Sequence, residues 1–326
     1  MSAEAGALLG AATRWAGFLG ALLATGAVVF RFSLLPGFRR SGGGELPGAL
    51  ERAATVGLVA ALLLAVAAPI RLYAQVLGFV DPGEPITGEL VSTILRETAW
   101  GRGWVLQVLA AGLAVTGFFA ARAMPRPGWL MSAAATTAVV LAAPLTGHAT
   151  ASERAGGWGY PLDVAHLLGT GAWLGTLALL VAAGLPAATS SGRERESAGE
   201  GGDEREGTGV GGSVPPVAIL VRAFSPIALT GAGVAILAGL ALAFRYLDGS
   251  LTALWTTDYG RVLLLKLGVL GVVIAIGATN WKVITPKLDR PDGATRIRRS
   301  SVLELLFGTV LLAVTAVLVS TGMPGE

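Results

Sequence analysis

Residues Tyr259–Ile284 read YGRVLLLKLGVLGVVIAIGATNWKVI. As a helix rising about 1.5 Å per residue, this run spans ~39 Å, more than the roughly 30 Å hydrocarbon core of a bilayer. A helix satisfies all its backbone hydrogen bonds internally, which lipid demands of any lone segment that crosses it. Seven other stretches meet the same length and apolarity test: Arg14–Leu35, Arg52–Leu77, Gly101–Ala123, Gly128–Gly147, Pro161–Leu185, Ala223–Leu247 and Ser301–Thr321. The expected fold is therefore all-α, a polytopic membrane protein with eight transmembrane helices.

Composition agrees. Of the 326 residues, 53% are hydrophobic and 14% charged, and the mean hydropathy is +0.67. A soluble domain carries about 25% charged residues and has too little core volume to hide this much apolar surface. The 47 glycines, many inside the spans, suit helices that approach closely. The net charge of +3 comes from basic residues scattered between apolar runs. They form no aromatic-interleaved patch, so nucleic acid is not an expected partner and the lipid bilayer is. The absence of cysteine excludes disulfides and thiolate sites. Glu4 and the lack of an early basic region argue against a cleaved signal.

The loops after spans 1, 3, 5 and 7 hold 16 of the 24 lysines and arginines. The positive-inside rule then puts both termini, and the loop joining spans 4 and 5, outside. Trp100, Trp104, Trp158, Tyr160, Tyr246, Trp255 and Tyr259 fall near that same expected face, as an aromatic belt does. Residues 186–216, rich in Gly, Glu and Arg, read as a disordered cytoplasmic linker. They separate residues 1–185, which carry spans 1–5, from residues 217–326, which carry spans 6–8.

A short internal repeat groups the spans differently. Thr98-Ala-Trp100-Gly101-Arg102 opens span 3 and Thr257-Asp-Tyr259-Gly260-Arg261 opens span 7, and Gln107 and Lys266 fall at matching places. With four spans per unit the repeat is parallel, giving two four-helix halves. Two independent interfacial helix caps are the competing explanation.

The chain has two histidines, His148 at the end of span 4 and His166 in span 5. They flank one short loop, so both imidazoles are expected near the outer surface at similar depth. Neutral imidazole ligates copper and other late first-row metals. Asp163, one turn before His166, is a further candidate ligand or orienting group. Met323, beyond span 8, offers a thioether suited to Cu(I). A packing role with one hydrogen bond is the alternative for each histidine, and a cap or tail role for Asp163 and Met323. Elsewhere in the spans, Arg71 and Lys266 are expected to snorkel to the interface and Glu304 to pair with Arg298 and Arg299. Asn280 is expected to bond across helices. No Walker loop, HExxH or GxSxG occurs, so no enzyme is expected.

The second half resembles the copper resistance protein D family. Asp163-Val-Ala-His166-Leu-Leu-Gly-Thr-Gly-Ala-Trp173-Leu-Gly175 is similar to its D-x-x-H-x(6)-W-x-G span, and Phe224-Ser-Pro-Ile-Ala228 to its next helix entry. Thr257-Asp-Tyr259-Gly260-Arg261 with Leu264-Leu-Lys266 and Gly277-Ala-Thr-Asn280, then Arg298-Arg-Ser-Ser-Val-Leu-Glu304, follow in the family's order. The similarity covers Gly147 to Thr321; spans 1–4 match in hydropathy and number alone. It implies an eight-span protein of the cytoplasmic membrane that moves copper ion, with His148 and His166 as ligands and a separate periplasmic CopC-like protein as partner. The four methionines are fewer than copper proteins usually carry. A haem-binding or quinol-linked redox protein, and a non-transporting assembly partner for a copper enzyme, are the other readings.

Overall fold

The computed structural model describes residues 3–81, 84–147, 157–200, 214–290 and 292–322. Among the described residues, eight helices are long and apolar enough to cross a membrane: α1 Leu8–Arg40, α2 Ala49–Leu77, α3 Ala99–Ala120, α4 Pro125–Thr146, α5 Gly159–Arg193, α6 Pro216–Tyr246, α7 Asp258–Lys287 and α8 Gly293–Leu318. They match the eight expected spans one for one. Several begin earlier than hydropathy suggests; α8 starts at Gly293 rather than Ser301 because its first turns, ATRIRR, are helical but too polar to register as apolar.

The helix of α5 continues to Glu200, into the stretch expected to carry no structure. Its start there is packed rather than solvated: Ala187, Ala188 and Ser191 are buried, and this part of the helix lies against α6. Small residues following an established helix add hydrogen bonds without a new nucleation cost. Residues 201–213 of the expected linker lie outside the described residues, and Pro216 already opens α6.

Helices α1 and α5 are the most buried and α7 the least. The two central helices cross with Gly26 of α1 against Gly175 of α5; a Cβ on Gly26 would overlap the Gly175 backbone, and one on Gly175 would overlap the Leu22 carbonyl. Lipid provides no hydrophobic drive between helices, so close van der Waals contact is what holds such a crossing. A second small-residue crossing joins α5 to α6, where a Cβ on Gly169 would lie 2.7 Å from the Gly231 carbonyl oxygen. Phe30, Leu34 and Phe38 of α1 pack with Leu177 and Leu180 of α5 and Leu220 of α6 in the largest apolar cluster.

The two turns that suggest a repeat are built alike. Thr98 Oγ1 accepts from the Gly101 amide at 2.9 Å and donates to the Ile94 carbonyl at 2.6 Å. Thr257 Oγ1 accepts from the Gly260 amide at 3.0 Å and donates to the Ala253 carbonyl at 2.6 Å. Each threonine is an N-cap with extended backbone, and each preceding short helix (Gly88–Glu97 before α3, Ala253–Thr256 before α7) supplies the carbonyl.

The halves then diverge. Helices α2 and α3 pack closely, and polar groups seal their seam: Trp104 Nε1 donates to the Ala68 carbonyl at 2.8 Å and Arg71 Nη1 to Gln107 Oε1 at 3.3 Å. Arg71 also donates to the Thr146 carbonyl at 2.9 Å and lies over Trp100. It therefore turns into the protein, where three partners await it, instead of snorkelling. No comparable packing joins α6 to α7 among the described residues; α6 packs on α5 and α7 on α8.

Gly26→Val is expected to lower stability by about 2 kcal/mol, since over-packing a tight contact forces backbone shifts. Gly17→Val, with open space at its Cβ position, is expected to stay within about 0.5 kcal/mol of the parent. Thermal unfolding of the purified protein in one detergent compares them.

Candidate functional site

The open seam between α6 and α7 leaves two cavities, both walled by α5, α6, α7 and α8. One, of about 230 Å³, lies toward the start of α5 and holds Asp163, His166, Tyr246, Tyr259 and Lys266. The other, of about 420 Å³, lies toward the far ends of α5 and α7 and holds Asn280, Ser301 and Glu304. Trp173 lines both.

In the first cavity the helix periodicity of α5 puts Asp163 and His166 on one face, three residues apart. His166 Nδ1 lies 2.6 Å from the Ala235 carbonyl oxygen of α6. A carbonyl only accepts, so Nδ1 carries the proton and Nε2 keeps its lone pair. A histidine that ligates a metal is commonly held by such a bond at its other nitrogen, which fixes tautomer and ring orientation. Gly239 makes the approach possible: a Cβ there would stand 3.0 Å from the imidazole. Lys266, Tyr246 and Tyr259 line the same cavity as Asp163. The two tyrosines meet edge-to-face, 6.4 Å between ring centres at 82°. Lys266 thus stands in the wall of a cavity with Asp163 and His166, where snorkelling to the interface was expected of it.

The sequence singles out His148, His166, Asp163 and Met323. The structure brings His166 and Asp163 together. His148 and Met323 lie outside the described residues, although Gly147 and Val319, just before them, line this cavity. Among the described residues no three His, Asp or Glu side chains gather closely enough to hold a metal on their own.

The second cavity corrects another expectation. Glu304 is 3% exposed and makes no ion pair with Arg298 or Arg299, both of which are exposed. Residues five and six places apart on a helix do not share a face, so neither arginine can turn to it. Instead Trp173 Nε1 donates to Glu304 Oε1 at 3.2 Å and Asn280 Nδ2 donates to Glu304 Oε2 at 2.9 Å. The Asn280 bond is the cross-helix contact expected of it. Both donors sit on π turns, Gly171–Gly175 and Asn280–Ile284, which rotate the side chains off the regular helical register. Thr285 Oγ1 donates to the Asn280 carbonyl at 2.8 Å, which also accepts from the Thr285 amide. The sequence marked Trp173, Asn280 and Glu304 separately as family-like positions, and nothing in their spacing announced that three helices would join them.

Fold and cavities together define a multi-pass helical membrane protein with two cavities, each carrying a few polar groups on a mainly apolar wall; α1 and α4 help the last four helices line the first, and the last four helices line the second. The chain belongs to the copper resistance protein D family: residues 218–318 match the family model "Copper resistance protein D", and residues 4–158 match "Copper resistance protein D-like, N-terminal domain". The second match extends the likeness into the first half, where sequence motifs showed none. The chain is similar to "Copper transport protein CutJ" of Bacillus subtilis (strain 168), 27% identical over 274 residues, which are 83% of this chain and 46% of CutJ. It is also similar to "Copper resistance protein D" of Pseudomonas syringae pv. tomato, 25% identical over 322 residues, 94% of each chain. It therefore spans about half of CutJ and nearly all of the Pseudomonas protein. No solved structure matches.

Gly239→Val is expected to push the His166 ring off the Ala235 carbonyl. Nitrogen NMR of labelled histidine should then show the hydrogen-bonded Nδ1–H signal lost, and an unchanged signal in Gly268→Val, whose Cβ position is open.

Proposed function

We propose that this protein carries copper ion across the cytoplasmic membrane, with the His166 cavity as the point of capture. The observation that supports this most is the imidazole itself: Nδ1 is committed to Ala235, which leaves Nε2 as a ligand in a cavity shared with the Asp163 carboxylate. Copper is the cargo here, so a site that holds it briefly with few protein ligands suits transit better than a closed structural cage. The names of the two relatives, one a copper transport protein and one a copper resistance protein, point the same way.

In this reading His148 completes the capture site. It follows Gly147, which lines the cavity, and it is the chain's one other histidine. Met323 is the fourth candidate ligand, placed after α8 close in sequence to the cavity-lining Val319. The lysine and arginine distribution supports an orientation with both termini outside, which turns the His166 cavity to the exterior. A separate CopC-like copper-binding protein would deliver the ion there. Residues 186–216 would then join spans 5 and 6 on the cytoplasmic side.

The His148→Ala, His166→Ala double variant should bind copper at least about tenfold more weakly and lose most copper accumulation in cells, because removing even a supporting group around a metal costs that much. Asp163→Asn should produce a smaller loss. Isothermal titration of the purified protein and cellular copper content read the two effects. Unchanged values in the double variant would sink the proposal. A Soret band in the purified protein would instead favour a haem-binding role.

A further inference from the structure

The mechanism of capture makes no use of the second cavity, yet that cavity holds the most deeply placed carboxylate described in the membrane-spanning helices. We infer that Glu304 and Asn280 form a proton-binding site in which the asparagine amide serves both protonation states of the glutamate.

Charge is the first argument. Glu304 is 3% exposed, and no cationic side chain stands within 4.0 Å of it among the described residues. Among the described residues, Lys282 of α7 is the one other ionisable group on the cavity wall; it is exposed and its ammonium lies over Trp281. Arg222 of α6 pairs with Asp289, and α5 contributes only Trp173 and apolar groups to this wall. Arg298 and Arg299 of α8 are exposed elsewhere on their helix. A carboxylate within a membrane protein is retained at a cost and marks an ion or proton path. Neutralising it takes one positive charge. A divalent metal would need further anionic or imidazole ligands, and no group of three gathers here. A proton needs none.

The second argument is an orphaned acceptor. Asn280 is 8% exposed, lines the cavity, and its Oδ1 has no hydrogen-bond partner. Leaving a buried acceptor unpaired is unfavourable unless another state of the site uses it. An amide has a donor on one side and an acceptor on the other. With Glu304 anionic, Nδ2 donates to Oε2, as observed. When Oε2 takes a proton it becomes a donor, and a half-turn of the amide presents Oδ1 to it. Trp173 Nε1 continues to donate to Oε1 in both states. Gly277 leaves the space, since a Cβ there would stand 3.2 Å from the carboxylate. The cavity, about 420 Å³, has room for the water that brings the proton and takes it away. The step balances simply: one proton leaves water, an O–H bond forms at Oε2, and the charge of the site goes from −1 to 0.

Trp173 ties this site to the first cavity, because the same indole lines both. A cation entering beside His166 favours the anionic form of Glu304 and expels its proton. This coupling rests on the transport reading above; proton binding at Glu304 does not.

Infrared difference spectroscopy of the protein in lipid, recorded across pH, tests the site without copper. A carboxylic-acid C=O band is expected that disappears on alkalinisation and is missing from Glu304→Gln. In Trp173→Phe the band should move to higher frequency, because the C=O loses its donor; this variant keeps the test open if Glu304→Gln folds poorly. A band that persists in Glu304→Gln, or that does not move in Trp173→Phe, overturns the proposal. For coupling, copper is added to proteoliposomes holding a pH-sensitive dye. Copper entry with opposite proton movement is expected, the proton signal being lost in Glu304→Gln while copper binding is retained. Flux with an undiminished proton signal in that variant overturns the coupling. No copper flux in the parent protein overturns the transport reading and leaves the infrared result to decide the site.

Discussion

The contact of Gly26 with Gly175 is the constraint from which the rest of the arrangement follows. With no side chain on either residue, the backbones of α1 and α5 meet, and these two become the central helices of the bundle. Putting α5 at the centre sets its length against both α1 and α6, while α1 also packs directly on α8. His166 and Trp173 are then carried to the interior on a helix that is itself held firmly. The second small-residue crossing, Gly169 with Gly231, draws α6 near enough for the Ala235 carbonyl to reach the His166 ring. A stripe of missing side chains thus does what a polar linkage does in a soluble protein: it sets the distance between the groups that carry chemistry.

The polar groups obey the rule that lipid imposes, which is that each must find its partner within the protein. In the first half they close a seam. Arg71, Gln107 and Trp104 bond across α2 and α3. In the second half the position matching Gln107 is Lys266, and the helix that bears it stands away from α6. Its charge cannot seal a seam by itself, so it shares a cavity with Asp163 and His166. Two halves that begin α3 and α7 with the same threonine-capped turn therefore serve different ends, one as a closed scaffold and one as the walls of two chambers.

The π turns show how local geometry supports this division. A regular helix would spread Trp173 and Asn280 according to a fixed register. The extra residue in each turn rotates them toward Glu304, so three helices meet on one carboxylate. The π turns sit where a buried carboxylate has to be served, and Trp173 lines both chambers.

The number of helices and their all-α class were legible in the sequence, because a bilayer demands about 20 apolar residues per crossing and each such run declares itself without reference to any other. The capped turns at Thr98 and Thr257, and the pairing of Asp163 with His166 on one face, were legible for the same reason: they depend on residues a few places apart. The fate of Arg71, Lys266 and Glu304 was not. A lysine or arginine near a helix end looks the same whether it reaches for the interface or for a partner, and only packing supplies the partner. Nor could the sequence say that α2–α3 would close and α6–α7 would stay open. The first seam was closed by Trp104, Arg71 and Gln107 finding partners across it, and the centre of the bundle by contacts such as Gly26 with Gly175, about 150 positions apart, and tertiary structure alone brings such residues together.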